Sequence, residues 1–392
     1  IPAAVLTNVG SYDVIVRNAH GSVTSQIASL TLTFPSPAQQ TYEPPGPSSR
    51  RTGIAITEIM YHPAPRSDGR NLEFIELYNS NPFFEDISGW RFSGECDYTF
   101  PPNTILAGNS YLVVAAAPDD LRAVSGATNV LGPFDGKLAN EGGTIRLRKR
   151  SGAIVLEVSY ADRPPWPVAP DGTGHSLVLA RPSHGERDSR AWASSAARGG
   201  SPGRQDPLPV DPLAGIVINE LLGHADPGQP DFIELYNGSP RPADLAGCYL
   251  SDDRIALKFR IPDGTVLDPG GFVVFDETQL GFALDAAGEA VFLSHPALDR
   301  ILDAVRLTPQ WQGAAFGRFP DGAERLRTLD VPTPGTTNAR PRRSAVVINE
   351  IMYHPISEMD DDQYVELHNS GPDGVDLGGW RLADGIEFRF PP

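Results

Sequence analysis

Cysteine is almost absent from this 392-residue chain. The two present, Cys96 and Cys248, lie far apart. They form no Cys-x-x-Cys pair and no metal-ligand spacing, so neither a disulfide framework nor a zinc site is expected. No apolar run approaches the roughly 18 residues of a membrane-crossing helix. No G-x-S-x-G, P-loop or G-x-G-x-x-G text is expected, so the usual hydrolase and nucleotide fingerprints are not read here. Basic charge is also scarce: 32 Lys and Arg stand against 49 Asp and Glu, a formal net charge of −17. Only short basic runs such as Arg148-Lys149-Arg150 interrupt it. An acidic surface repels phosphate backbones, so nucleic acid is not expected as a partner.

Turn formers are abundant, with 39 Gly and 38 Pro. Short strands joined by many turns use both, and long helices use neither. One pattern dominates. IAITEIMYHPAP from Ile54 is followed by LEFIELYNSN from Leu72 and DISGWRFSG from Asp86. The same three blocks return, in order, from Ile216, Pro230 and Asp244, and again from Val346, Gln363 and Asp376. The intervals are domain-sized, too long for a solenoid. The blocks alternate as strands do; Ile54, Ile56 and Glu58 share one parity. Asn79 and Asn237 end the second block, where an Asx turn would close it. Later apolar runs, each preceded by turn residues, give every full repeat at least seven short strands, the signature of a β-sandwich. Only the stretch near Pro118 to Val124 is expected to be helical.

These blocks, with the closing Ser201-Pro202-Gly203 and Thr333-Pro334-Gly335-Thr336-Thr337-Asn338, resemble the lamin-tail domain as it occurs in bacteria. The resemblance implies an all-β chain of tandem immunoglobulin-like sandwiches. On it, residues 53–206 and 207–340 are two lamin-tail-like domains, and residues 341–392 are a third, truncated one. The chain begins at Ile1 and stops inside the third set of blocks, so it is read as a fragment whose gene continues past Pro392. Residues 1–34 resemble the last part of a bacterial immunoglobulin-like domain, with Tyr12 as its tyrosine corner and Asn18 to Gly21 as a hairpin turn. Residues 35–52, rich in Pro, Ser and Gln, are expected to be an extended linker.

Candidate chemistry centres on two recurring glutamates: Glu58 with Glu76, Glu220 with Glu234, and Glu350 with Glu366. If their strands are neighbours, each pair could hold a divalent cation, calcium being the cation considered, or do acid–base work, with His62 or His354 as a further ligand. The competing reading makes them framework residues that accept hydrogen bonds from a loop, and recurrence in three repeats favours it. Trp90 and Trp380 are expected to plug cores, because Cys248 takes the same place in the second repeat and free Cys is usually buried. Trp166, between prolines, is the better candidate for an exposed aromatic contact. The acidic clusters Asp360 to Asp362 and Asp252-Asp253 lack the calcium-loop register.

No catalytic residue and no resident cofactor is assigned. The resemblance implies attachment and spacing in a large secreted or cell-surface bacterial protein, against a protein or polysaccharide surface, with no membrane span in this stretch. The alternatives are an accessory region of a secreted metal-dependent hydrolase or of a spore-coat-kinase-like protein and, against the charge, DNA binding.

Overall fold

The computed structural model describes residues 10–18, 21–30, 42–207, 211–383 and 385–391. It divides into two compact units, residues 1–340 and residues 341–392.

Within the first unit, the first repeat folds into two facing sheets, antiparallel except where Val130–Leu131 runs parallel to Ser110–Ala115. One has six strands, in the order Val130–Leu131, Ser110–Ala115, Phe74–Asn79, Ile54–Met60, Leu177–Leu179, Trp192–Ser194. The other has five: Asp135–Gly136, Cys96–Thr99, Arg91–Gly94, Gly142–Arg148, Ile154–Ala161. The second repeat builds the same frame. Phe272–Asp276, Phe232–Asn237, Ile216–Leu222, Phe316–Arg318 and Leu326–Thr328 face Phe259–Arg260, Tyr249–Ser251, Ala290–Ser294 and Ile301–Arg306. The chain is thus nearly all β, and its two complete repeats are immunoglobulin-like sandwiches in tandem.

Each sandwich has its own core. Ile54, Ile56, Ile59, Ile75 and Leu77 meet Phe92, Ile145, Leu147 and Val158 in the first. Ile216, Ile218, Ile233 and Leu235 meet Leu250, Val291, Leu293 and Val305 in the second. Each such side chain, fully removed from water, contributes about 1.5–3 kcal/mol. Trp90 and Cys248 are both buried in these cores, as their equivalence predicts. The Gly turn before each is fixed by a recurring trio of backbone bonds. Trp90 donates to Ile87, Phe100 to Trp90 and Gly89 to Phe100; Cys248, Ile261 and Gly247 repeat the pattern, as do Trp380, Phe390 and Gly379.

Several expectations change. Simple alternation places Glu58 on the face of Ile54 and Ile56. A β-bulge intervenes: Ile56 pairs with Leu77 but Glu58 with Glu76, leaving Thr57 as the extra residue. Glu58 therefore shares the outer face of the sheet with Glu76, opposite to Ile56. The same irregularity falls between Ile218 and Glu220 and between Ile348 and Glu350. A second helix, Glu277–Leu280, joins the expected Pro118–Ser125, nucleated by a capping box in which Asp276 and Gln279 bond reciprocally. Trp166 is only 8% exposed and packs on Trp192, ring centroids 6.1 Å apart, so it belongs to the core of the first sandwich and not to an exposed contact.

The described part of the expected linker is docked. Glu43 accepts from Ser183, Tyr42 packs beside Val178 and Ala193, and Ser48 is buried. Residues 35–41, the remainder, lie outside the described residues, as do residues 31–34 and 1–9. Toward the N-terminus, Gly10–Tyr12 pairs with Ala28–Leu30 and Ile15–Asn18 with Gly21–Thr24. Tyr12 is 44% exposed rather than seated in a core, because these strands form two-stranded sheets with no second layer among the described residues. Ala19 and His20, at the expected turn, are outside the described residues.

The second unit consists of the hairpin Val346–Met352 with Tyr364–Asn369 and the short pair Arg381–Leu382 with Phe388–Arg389. Ile348, Ile351, Tyr353 and Trp380, whose counterparts in the first repeat are buried, are exposed here.

Candidate functional site

In each complete sandwich the bulge and the strand pairing place the two glutamates directly opposite one another on the outer face. Neither pair is open to solvent. Glu58 accepts from the Ser201 amide at 2.9 Å, from the Ser201 hydroxyl at 3.0 Å and from the Ser176 hydroxyl. Glu76 accepts from the Gly203 amide at 2.7 Å and the Thr57 hydroxyl at 2.8 Å. In the second sandwich Glu220 accepts from the Thr333 amide at 2.9 Å and its hydroxyl at 3.0 Å. Glu234 accepts from the Gly335 amide at 2.6 Å and the Asn219 side chain at 3.0 Å. The closing Ser/Thr-Pro-Gly of each repeat therefore lies across the carboxylate pair, its first and third amides donating one to each glutamate. Pro between them has no amide to leave unsatisfied. All four oxygens of each pair accept a hydrogen bond. Thr57 and Asn219, the extra residues of the bulges, supply one donor apiece.

Local backbone freedom makes this approach possible. Gly200 has φ +68°, and a Cβ there would stand 2.1 Å from a Glu58 oxygen. In the second repeat Asn338 adds a tie, its side chain donating to the Asn219 and Arg318 carbonyls at 3.1 and 2.8 Å.

Burial dominates the electrostatics. It pushes the Glu58 carboxyl up to about 7 against the hydrogen bonds that favour its charged form. Burial, reinforced by repulsion from Glu58, holds Glu76 well above the ordinary carboxylate range. Glu234 is pushed up to about 7, and Glu220 is raised, both mainly by burial. Beside the first pair, burial lifts Asp206 to about 6, and a cavity of about 40 Å³ lies between Tyr42, Glu76, Tyr111 and Asp206. Two carboxyls facing each other away from water favour keeping a proton between them.

Gly199-Gly200-Ser201-Pro202-Gly203 does spell G-x-S-x-G, contrary to the expectation that no such text is present. The context differs from a nucleophile elbow. Ser201 is buried in an irregular turn, and its hydroxyl donates to Glu58.

His62 does not join the glutamates. Its Nδ1 lies 2.6 Å from Asp171, whose carboxylate also meets Arg254 at 3.1 Å and Arg306 at 3.0 Å from the second sandwich. Burial opposes the charge on Asp171, but the His62 hydrogen bond and the two guanidiniums outweigh it and hold its pKa below the ordinary value. His175 makes a second tie. It lies 2.7 Å from the Ser195 carbonyl through Nδ1 and accepts from the Ile301 amide at 2.9 Å through Nε2. Burial lowers it to about 4, so it is neutral. Gly174-His175-Ser176-Leu177 belongs to the text that resembles the lamin-tail domain, but nothing in the sequence marks Asp171 or His175 as a tie to the second sandwich.

Glu350 and Glu366 are also directly paired, but exposed; Tyr364 donates to the former and Asn349 to the latter. Asp360 to Asp362 form an exposed 3-10 turn, and Asp253 caps its own loop at Ile255 and Ala256. Among the described residues, no three His, Cys, Asp or Glu side chains gather in a metal-binding group. No described helix is long and apolar enough to cross a membrane.

A comparison with curated proteins finds no match. Among solved structures, a study of inhibition of the exo-β-D-glucosaminidase CsxA shows 12% identity over 62% of this chain and 25% of that one, with a TM-score of 0.15. The chain thus spans about a quarter of that protein's length, and a likeness this slight carries nothing about fold or chemistry. The family model for the lamin tail domain matches residues 47–162, 209–307 and 339–392, one segment for each repeat. Both closing Ser/Thr-Pro-Gly segments fall outside those matched spans. With well over half of its length matched and two complete immunoglobulin-like sandwiches formed, the chain belongs to the lamin tail domain family.

Proposed function

We propose that the chain is a non-catalytic stretch of a large secreted or surface-displayed bacterial protein, whose sandwiches act as spacers and as attachment modules for a protein or polysaccharide surface. The observation that carries this reading is the use made of the glutamates. The residues best suited to chemistry are buried, opposed and bonded to the segment that closes their own sandwich, an arrangement that supports framework duty. Structural modules of this kind hold neighbouring domains apart and present their faces.

Calorimetric titration of the protein with calcium, before and after Glu76→Gln and Glu234→Gln, tests the reading against its metal-dependent rival. The expected result is no tight binding and a change in stability alone. Tight binding abolished by both substitutions would transfer the glutamates to a metal site. Detecting the protein on intact source cells or in their medium, rather than only in lysate, tests its display.

A further inference from the structure

The outer face of the five-stranded sheet in the first sandwich is basic, in a chain of net charge −17. Phe92, Ile145 and Leu147 point into the core, so alternation turns Arg91, Ser93, Arg146 and Arg148 outward. Arg91 and Arg148 stand directly opposite one another on neighbouring strands. Like charges so placed destabilise a sheet. Lys149 and Arg150, both exposed, follow in the hairpin connection. The Lys149 ammonium stands 5.5 Å from the Trp90 ring centroid, and the Arg150 side chain lies against Gly89. Four cations thus gather around Gly89, Trp90 and Arg91.

The chain's own carboxylates leave this group unneutralised. Glu157 pairs with Arg146 at 2.6 Å and with Arg187 at 2.9 Å. Arg148 bonds instead to the Ser93 hydroxyl and the Gly152 carbonyl. Among the described residues, no carboxylate forms an ion pair with Arg91, Arg148, Lys149 or Arg150.

The framework does not call for these cations either. In the second sandwich Tyr249 faces Ser294 where Arg91 faces Arg148. His295 and Pro296 follow in place of Lys149 and Arg150, and Pro296 packs against Gly247 as Arg150 does against Gly89. The paired glutamates recur with the fold, and this basic group does not.

We infer that this face binds an acidic polysaccharide, its carboxylates meeting Arg91, Arg148, Lys149 and Arg150 and its hydroxyls meeting Ser93 and Thr99. The strands Arg91–Gly94 and Gly142–Arg148 are interior, paired on both sides, so a peptide cannot add here as a strand. Between the arginines the face carries the hydroxyls of Ser93 and Thr99. Among the described residues it carries no exposed large apolar side chain to anchor a peptide or enter a lipid surface. The exposed Phe83 and Phe84 belong to the crossing between the sheets. Duplex nucleic acid sets a charge every ~1.7 Å and meets the repulsion of the whole acidic chain. A uronate polymer carries one charge per sugar ring, a step near the roughly 5 Å between neighbouring strands. The inference rests on the attachment reading above and names its face and its polymer class. Binding is measured on purified protein and display on cells, so each can fail without the other.

The probe is sodium polygalacturonate, titrated into the full chain by calorimetry, with neutral dextran, polyglutamate, duplex DNA and phosphatidylserine vesicles as comparisons. Saturable binding of polygalacturonate that weakens with added salt is expected, and none of dextran. Arg91→Gln with Arg150→Gln should weaken binding about tenfold, the weight of two exposed charge contacts. The same pair should leave the melting temperature unchanged or raise it, because it removes a repulsion. Arg91→Lys with Arg150→Lys keeps the charge and should retain most of the binding. Absence of polygalacturonate binding, or binding that the glutamine pair leaves unchanged, would overturn the inference. A lowered melting temperature in the glutamine pair would overturn it too, by making the arginines framework. Tighter binding of polyglutamate, DNA or vesicles would assign the face to that class instead.

Discussion

Glu58 and Glu234 carry the sharpest consequence at the scale of single residues. Each holds its proton to about pH 7 in the folded chain, against an ordinary value of 4.5. Below the unfolded value both states are protonated, and the contribution to stability is fully present. As pH rises through 7, the unfolded chain has already released its proton and the folded chain must follow, so the contribution is lost. Both sandwiches should therefore melt higher at pH 5 than at pH 8. Glu58→Gln and Glu234→Gln do not titrate, but each puts a donor NH2 where a carboxyl oxygen accepts a hydrogen bond. They should lower stability at pH 5 and flatten the slope. Calorimetric melting temperatures across that range check this, and a slope unchanged in the double variant would assign the effect to other groups.

Bulge and closing segment act together at the scale of elements. The repeated blocks were legible as strands because alternation, Asn-closed turns and Gly-Trp text each have a local cause. Asn79 and Asn237 do make Asx turns, to the amides of Asn81 and Ser239. The facing of Glu58 was not legible. A bulge leaves no mark in an alternating apolar pattern, and counting by two across Thr57 gives the wrong side. Both halves of the latch stood in the sequence, the glutamates and the Ser/Thr-Pro-Gly, but they are more than 100 residues apart and nothing local joins them. Gly200 offers the test. Gly200→Ala introduces strain at a positive φ and drives a methyl into a Glu58 oxygen. It should destabilise the first sandwich by about 1–3 kcal/mol and speed exchange of the Ser201 and Gly203 amides. Urea unfolding and hydrogen exchange would show it. Unchanged exchange at those two amides would mean that the latch does not depend on this approach.

At the scale of the whole molecule, tandem sandwiches need not act as one body, yet residues 1–340 form a single compact unit. The ties are polar: Asp171 to Arg254 and Arg306, Asp162 to Arg306, Arg181 to Glu324, His175 to Ile301, and the Arg198 amide to Asp299. Asp171 is buried while its arginine partners are part-exposed. Asp171→Ala should cost between the ~1 kcal/mol of an exposed pair and the ~3–5 kcal/mol of a buried one. The expected calorimetric result is one shared transition splitting into two. The second unit gives the complementary case. Its hairpin carries the same blocks and the same bulge, but Ile348, Ile351 and Tyr353 face solvent, and its two sheets have two strands each. A two-stranded sheet without a covered apolar face is marginal in water. Among the described residues, the glutamates that latch the complete sandwiches are here bonded to Tyr364 and Asn349, within the hairpin itself. Limited proteolysis should therefore cut within residues 341–392 first and leave residues 42–340 as a resistant core, read by mass spectrometry of the early fragments. Equal protection of the two units would show that the hairpin gains its stability from something other than the latch and the covered core.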